Sequence, residues 1–230
     1  FEVRIFAPCY GIINERRNQL HEVQRLSGLN LIVDDNDYQL IIKVASIQTV
    51  RLQVYFIDNE AFFRRRAMLV DENNESFKDN DKRIIFYTQG VLETIKKLRW
   101  TPDIIHCSGW FSSLAPLYIK TMYSTDPFYA KSKVIFSAFN DKFTNTINKK
   151  LEKRLGIKEI EQQKLIKDKE ITWESLMRLA SQYSDVVVEG DSDMKNLLKG
   201  VVDTKEVKYL KYKEDMQATY LDLYNKLNAK

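Results

Sequence analysis

Short apolar runs alternate with helical patterns through the second half of the chain. Residues 103–106, 133–138 and 185–190 are each too apolar to keep one face in water. The segments between them place apolar residues at spacings of three and four. Short buried strands separated by helices are typical of a parallel sheet. We therefore predict an α/β fold with a doubly wound, mostly parallel sheet.

The first quarter of the chain is rich in β-strand formers. Residues 3–8 alternate in polarity and end at a proline, and residues 38–44 and 52–57 are further β-rich runs. Residues 34–37 are an acidic turn between strands. Residues 14–28 leave two alternatives open: a helix capped by Asn14, or the start of a meander of strands. We interpret this region as a β-rich meander inserted in the sheet or extending it.

Two helices are predicted in the middle of the chain. Residues 84–98 have helical spacing, and Asp79 or Asp81 is the expected N-terminal cap. The next helix follows the buried run that ends at residue 106. Pro116 is tolerated only in the first turn of a helix, so this helix is expected to start near Ser113 and to end near residue 123.

The last third of the chain predicts three more helices. One covers residues 173–183, and Ser192 is expected to cap a second, short one. Residues 214–228 form an amphipathic tail that we expect to dock on the body of the protein. The chain has no repeats and no low-complexity linker, so a single domain over residues 1–230 is the economical interpretation.

Composition is that of a globular protein, with 44% hydrophobic and 30% charged residues. No run of about 18 apolar residues is present to cross a bilayer, so no membrane partner is expected. The two cysteines, Cys9 and Cys107, do not make a disulfide scaffold, which indicates a cytoplasmic protein.

The excess positive charge is confined to one segment. Between Asp141 and Lys169 there are nine Lys or Arg and five Asp or Glu, a surplus equal to the net charge of +4 of the whole chain. We interpret residues 141–170 as a basic, helical insertion in solvent. A polyanion-binding module is a weaker alternative, because the segment lacks the interleaved aromatics of nucleic-acid grooves, and nucleic acid is not an expected partner.

The strongest candidate for a site is the strand-to-helix junction over residues 100–118. One of the two histidines, His106, ends the buried run there, close to Gly109 and Trp110. In open α/β sheets ligands gather at the carboxyl ends of strands. His106 is either a site residue or a histidine bonded to backbone, and Trp110 either stacks on a sugar ring or packs in the core.

Several motifs in chain order resemble those of the glycogen and starch synthase family over most of residues 1–200. They are Val3 to Pro8 with Tyr10 and Gly11, Val54 to Asp58 with Phe63 and Arg64, Asp79, Asn80 and Arg83, Trp100 with Pro102 to His106, Leu114 to Tyr118, Val134 to Ser137 with Asn140, and Tyr183 to Asp185.

The resemblance implies the Rossmann-like N-terminal half of a retaining glycosyltransferase built from two facing domains (the GT-B architecture). The implied activity is transfer of glucose from a nucleoside-diphosphate glucose, such as ADP-glucose or UDP-glucose, to an α-1,4-glucan, without a cofactor or metal. It also implies a phosphate-contacting lysine-x-glycine-glycine loop before Phe1 and a second Rossmann-like domain or protein chain. We therefore expect residues 1–230 to be incomplete for turnover.

Substrate-binding residues carried over from the resemblance are His106, Ser108, Gly109, Trp110, Asn140, Asp79, Asn80 and Arg83. No catalytic residue is identified. The family turn reads histidine-x-histidine-aspartate-tryptophan-histidine, and here it reads His106-Cys107-Ser108-Gly109-Trp110-Phe111. The alternative is a non-catalytic relative that binds glucan or a partner protein through the same cleft. The group at Asp79 is alternatively a cap and ion pair at a helix start.

Overall fold

The computed structural model describes residues 1–143, 145–157 and 170–229. They form two compact units, unit 1 over Phe1–Arg99 and unit 2 over Trp100–Lys230. Unit 1 contains a mixed sheet and unit 2 a parallel sheet, which confirms the predicted α/β class. The single domain over residues 1–230 stays a prediction.

Unit 1 is built on a five-stranded sheet in the order β1-β5-β4-β2, with β3 paired to β4. Strand β1 runs parallel to β5, and the other pairs are antiparallel. The elements are β1 (Arg4–Pro8), β2 (His21–Glu22), β3 (Leu29–Val33), β4 (Asn36–Ile47), a 3-10 helix (Gln48–Val50), β5 (Leu52–Asp58), α1 (Glu60–Phe63) and α2 (Asn80–Lys97).

The β3–β4 hairpin closes through the predicted acidic turn. Val33 pairs with Asn36, so Asp34 and Asp35 form a two-residue loop, and both have positive φ, 54° and 60°. That backbone matches the right-handed twist of the strands. Helix α2 lies close to the sheet at Gly90, where an added Cβ would lie 2.8 Å from the Ile57 side chain.

Two expectations for unit 1 are decided by these elements. Residues 14–28 form turns and the short strand β2, so the meander alternative is confirmed. The Asn14 side chain accepts the Arg17 N–H at 2.8 Å, closing a turn that does not continue as a helix. Helix α2 begins earlier than predicted, and the predicted cap is wrong: Asp79 stands at the N-cap position without a capping bond. Its carboxylate binds Arg65 instead.

Unit 2 is built on a four-stranded, wholly parallel sheet in the order β6-β7-β8-β9. The elements are β6 (Ile104–Ser108), a 3-10 helix (Trp110–Ser112), α3 (Leu114–Lys120), β7 (Lys133–Ala138), α4 (Leu151–Arg154), α5 (Trp173–Gln182), β8 (Val186–Glu189), α6 (Met194–Leu197), β9 (Lys208–Leu210) and α7 (Met216–Asn228).

Both faces of the unit 2 sheet are apolar and buried. Helix α7 inserts Leu223 against Ile135, Val186 and Val188. The alternate residues, such as Val187, point to the other face and are also buried. Burial on both faces explains the continuous apolar runs of these strands.

The remaining sequence expectations divide as follows. The strand at 133–138 is confirmed, and α3 starts at Leu114, one residue after the predicted start. The prediction that Ser192 caps this short helix is wrong. Asp193 stands at the N-cap position of α6, and no side chain caps the helix. In the basic insertion, residues 144 and 158–169 lie outside the described residues. No helix in the described part of the chain has the length and apolarity needed to cross a membrane.

Candidate functional site

The carboxyl edge of the unit 2 sheet gathers most of the predicted site residues. Ser108 and Ser137 are register partners at the ends of β6 and β7. Gly109 and Trp110 follow β6 directly, and Asn140 follows β7 by two residues. Because parallel strands end at the same edge, these residues lie around one turn, as ligand-binding residues do in open α/β sheets.

Gly109 forms the tight turn between β6 and the 3-10 helix. Its φ is +71°, and its N–H donates to the Ser137 carbonyl at 3.0 Å. A Cβ at this position would collide with the Asp141 carboxylate. The turn therefore requires glycine for two reasons, its left-handed backbone and the carboxylate packed against it.

Asp141 is the residue around which this turn is ordered, and the sequence analysis did not select it. Its Oδ2 accepts the Trp110 backbone N–H at 2.9 Å, and its Oδ1 accepts the Trp173 indole N–H at 2.9 Å. Burial raises the pKa of the Asp141 carboxyl, although both N–H donors act in the opposite direction. One carboxylate thus joins the turn after β6 to the start of α5.

His106 lies in β6, before the Gly109 turn, on the sheet face that α7 covers. Its Nδ1 is 2.5 Å from the Tyr224 hydroxyl, and its Nε2 is 2.7 Å from the Ser137 hydroxyl. The Ser137 hydroxyl is in turn 2.9 Å from that of Tyr220. Burial lowers the pKa of His106 to about 4, so the ring is neutral at pH 7. Both ring nitrogens have internal partners, and binding of substrate by His106 stays a prediction.

The other predicted residues of this edge differ in accessibility. Trp110 is buried, with its ring edge-on to Phe111 and Phe143, so it packs as a core residue. The Ser108 and Asn140 residues are exposed. Of the polar residues predicted at this edge, they are therefore the ones that a ligand in solvent can contact.

Asn80 and Arg83 lie in unit 1, at the start of α2. The fully buried Arg83 guanidinium donates to the Phe62 carbonyl at 2.8 Å, to Asn80 Oδ1 at 2.7 Å and to the Met68 carbonyl at 2.7 Å. Burial lowers the pKa of Arg83 to about 10. These bonds fix the loop between α1 and α2 to the helix. A role of either residue in substrate binding stays a prediction.

Asp79 is paired to Arg65 by two hydrogen bonds, of 2.7 and 2.5 Å. Partial burial raises the pKa of the Asp79 carboxyl, but the bonds from Arg65 outweigh it and hold the pKa below its usual value. The Arg65 guanidinium also lies over the Phe77 ring, 4.7 Å from its centroid. The ion pair at the helix start, which was one of the two predicted alternatives, is therefore present. A contact of Asp79 with substrate stays a prediction.

Unit 1 also holds a charged cluster that sequence spacing did not indicate. Ligand atoms of Cys9, Glu15 and Asp58 lie within 4.8 Å of one another, a spacing compatible with a metal ion. The Lys43 ammonium lies between the two acids, 2.6 Å from Glu15 and 2.9 Å from Asp58. Burial raises the pKa of the Cys9 thiol to about 12, so without a metal the thiol is protonated at neutral pH. The lysine already supplies the positive charge that a metal would bring.

A surface depression of unit 2 lies away from these residues. It has a volume of about 900 Å³ and lies between the end of α5 and the segment before β9, with Tyr183 and Thr204 in its wall. Both segments lead into the amino ends of strands, at the edge opposite Gly109. Because it contains none of the predicted site residues, we place the candidate site at the carboxyl edge.

Comparison with known proteins gives a consistent result. The sequence model of the family described as "Starch synthase catalytic domain" matches residues 1–198. The glycogen synthase of Chlorobium limicola is 40% identical over 141 residues, and that of Chlorobium chlorochromatii is 41% identical over 141 residues. Each alignment covers 61% of this chain and 29% of the relative, so the aligned part of the chain spans less than a third of these relatives.

Among solved structures, the catalytic domain of Starch Synthase IV from Arabidopsis thaliana, bound to ADP and acarbose, has a similar fold. The TM-score is 0.68 at 17% sequence identity, over 94% of this chain and 45% of the other. At this identity the likeness concerns the fold.

Proposed function

This chain belongs to the starch synthase catalytic domain family, and we propose that it acts as part of a glycosyltransferase that elongates an α-1,4-glucan. The donor is a nucleoside-diphosphate glucose, either ADP-glucose or UDP-glucose, and no cofactor takes part. The observation that carries the proposal is the strand-to-helix turn at Gly109, which stands at the carboxyl edge of a parallel sheet with exposed polar residues beside it.

The exposed side chains of this edge suit the binding of sugar hydroxyls. The Ser108 hydroxyl donates and accepts a hydrogen bond, and the Asn140 amide offers both donors and an acceptor. The backbone that carries them is held rigid, because the Gly109 and Asn140 N–H groups donate to Ser137 and Asp191. A rigid support positions a bound sugar without a reorganisation cost at the moment of reaction.

Negative charge develops on the diphosphate as it leaves, and cations must stabilise it. The turn at Gly109 does not supply these cations. His106 is neutral and bonded internally, and Asp141, Glu189 and Asp191 follow or end neighbouring strands. We therefore assign the carboxyl edge of the unit 2 sheet to binding and orienting sugar. The positive groups that stabilise the diphosphate come from a second Rossmann-like domain or another chain, in a cytoplasmic protein.

Transfer of radiolabelled glucose from ADP-glucose or UDP-glucose to glycogen tests this function in the full-length protein. We expect incorporation that falls at least about tenfold in Ser108→Ala and Asn140→Ala, because each removes hydrogen bonds to sugar. The matched control is Ser124→Ala, which removes an exposed hydroxyl that donates to the Thr121 carbonyl in a loop. Retention of the protein on a glycogen affinity gel without any transfer contradicts the enzyme and supports a glucan-binding relative.

A further inference from the structure

Strand β9 is the outer strand of the unit 2 sheet. In the described part of the chain it pairs with β8 alone, in a register that joins Lys208 to Val186 and Leu210 to Val188. An outer strand presents the backbone N–H and C=O groups of its open side to a further strand. This edge of the sheet is therefore a place where another extended segment can be added.

A groove lies between β9 and helix α7, with a volume of about 390 Å³. Lys208 and Leu210 line it from the strand. The helix contributes a stripe of residues on one of its faces, namely Ala218, Thr219, Asp222, Leu223 and Lys226. From 218 to 226 this stripe is about 12 Å long, the length of an extended segment of about four residues. The groove thus has the length of a short strand.

The rim of the groove carries an excess of positive charge. It holds Lys208, Lys213 and Lys226, together with Asp215 and Asp222. Asp222 is paired with Lys226 at 2.6 Å, and Asp215 caps the start of α7. Among the described residues Lys208 and Lys213 form no ion pair, and both are exposed. These two ammonium groups are available to a ligand, and they favour an anionic one.

The two lysines also select against one partner, a second copy of this chain. Two β9 strands joined edge to edge would bring the lysines of both copies together, and like charges on neighbouring strands destabilise their pairing. Lysine on an outer strand is one of the means by which proteins prevent such self-association. An acidic strand from another protein meets no such repulsion and brings the opposite charge.

The spacing of residues along β9 defines the pattern of that acidic segment. Lys208 and Leu210 are two positions apart, so their side chains point to the same face of the strand. A neighbouring strand then places an acidic residue beside Lys208 and an apolar residue two positions on, beside Leu210. Lys213 follows on the same rim and can pair with a second acid. The matching pattern is acidic-x-apolar-x-acidic.

We propose that the groove between β9 and α7 is a docking site for an acidic segment of a partner protein, which adds to the sheet as a strand. Backbone hydrogen bonds to β9 give affinity, and contacts with Lys208, Leu210 and Lys213 give specificity. The inference goes beyond the proposed function and does not depend on it, because the groove shares no residue with the Gly109 turn.

The test is fluorescence anisotropy of a dye-labelled peptide, glutamate-threonine-valine-threonine-glutamate, titrated with the full-length protein. The double variant Lys208→Glu/Lys213→Glu removes the two cations. Lys195→Glu/Lys199→Glu is the matched control, since it makes the same change of charge at two exposed lysines in and after α6. We expect the dissociation constant to rise at least about tenfold in the groove variant and to stay within about twofold of wild type in the control.

A second peptide of the same composition, glutamate-valine-threonine-threonine-glutamate, places the valine on the opposite face of a strand. We expect it to bind wild type more weakly than the first peptide, because the valine no longer lies beside Leu210. Circular dichroism establishes that each variant is folded, and Lys208→Gln/Lys213→Gln replaces the groove variant if the glutamates prevent folding.

Three results overturn the inference: no binding of the first peptide by wild type, equal loss of binding in the groove variant and the control, or equal binding of the two peptides. Self-association of wild-type protein that disappears in the groove variant would assign the groove to a second copy and would also contradict the proposal. Binding of an oligothymidylate with neither peptide bound would assign the two lysines to nucleic acid instead.

Discussion

The Nδ1 atom of His106 lies 2.5 Å from the hydroxyl of Tyr224, a residue 118 positions later in the chain. This bond ties the strand before the candidate turn to the C-terminal helix α7. It also gives the histidine a structural partner within unit 2. The rest of the polar network, through Ser137 to Tyr220, has the same effect on the other ring nitrogen.

The stability of unit 2 should depend on pH through His106. Its pKa is lowered by burial to about 4, whereas an unfolded histidine has a pKa of about 6.5. Between these values the unfolded chain binds the proton and the folded chain does not. The contribution is therefore fully present above about pH 6.5, and the free energy of unfolding falls as the pH drops toward about 4.

Urea denaturation at a series of pH values measures this dependence. In His106→Gln we expect the part of the pH dependence between about pH 6.5 and 4 that comes from this histidine to disappear. The pH dependence that arises from other groups is expected to be unchanged. An identical slope in the variant and in wild type contradicts the assignment.

Tyr224→Phe should destabilise the protein by about 1–3 kcal/mol, because it leaves a buried ring nitrogen of His106 without its partner. Tyr212→Phe is the matched control. The Tyr212 backbone N–H donates to Glu189, and among the described residues its hydroxyl makes no hydrogen bond. Thermal or urea unfolding of both variants gives the comparison, and an equal loss in the two would show that the His106 bond is not responsible.

Gly109 and Asp141 should be energetically coupled. Gly109→Ala costs about 1–3 kcal/mol, because the backbone at φ 71° and ψ 173° is one that essentially only glycine adopts, and more from the collision with the Asp141 carboxylate. In an Asp141→Ala background the collision is absent, so we expect non-additivity of about 1 kcal/mol or more. Gly200→Ala is the control, since Gly200 has φ +76° but no atom near its Cβ. Additive effects at Gly109 would exclude the predicted contact.

Arg83→Lys should destabilise unit 1 by about 3 kcal/mol or more. A lysine cannot reach the two carbonyls and the Asn80 side chain that the planar guanidinium binds, and charged hydrogen bonds contribute about 1.5–3 kcal/mol each. Arg66→Lys, at an exposed position in the same region, is expected to be nearly neutral. Loss of glucan binding without loss of stability in Arg83→Lys would instead favour the substrate-binding role predicted from the resemblance.

The parallel sheet was predictable because burial on both faces leaves a continuous apolar run in each strand, as at residues 133–138. Strand β9 was not predicted, since three residues such as Lys208–Leu210 carry no periodicity. The buried Arg83 was not predictable either. The sequence shows only a cation near a helix start, and its acceptors are carbonyls 15 and 21 residues away.

Asp141 was missed for the same reason. Sequence motifs report neighbours along the chain, so they indicated Gly109 and Trp110 as a turn. The carboxylate that orders this turn comes from Asp141, 31 residues after Trp110, and contacts Trp173 another 32 residues on. The family turn with aspartate at position 109 suggested a lost charge. The structure shows that the Asp141 carboxylate, from the segment after β7, fills that space.

The central claim is that a glucan binds at the carboxyl edge of β6 and β7, and amide chemical-shift mapping tests it most directly. Maltoheptaose is titrated into isotopically labelled protein, and the backbone N–H resonances are followed. We predict the largest shifts at Ser108, Gly109 and Asn140, with little change at Tyr183 and Thr204 beside the depression at the opposite edge. Shifts confined to that opposite edge, or none at saturating maltoheptaose, would contradict the account.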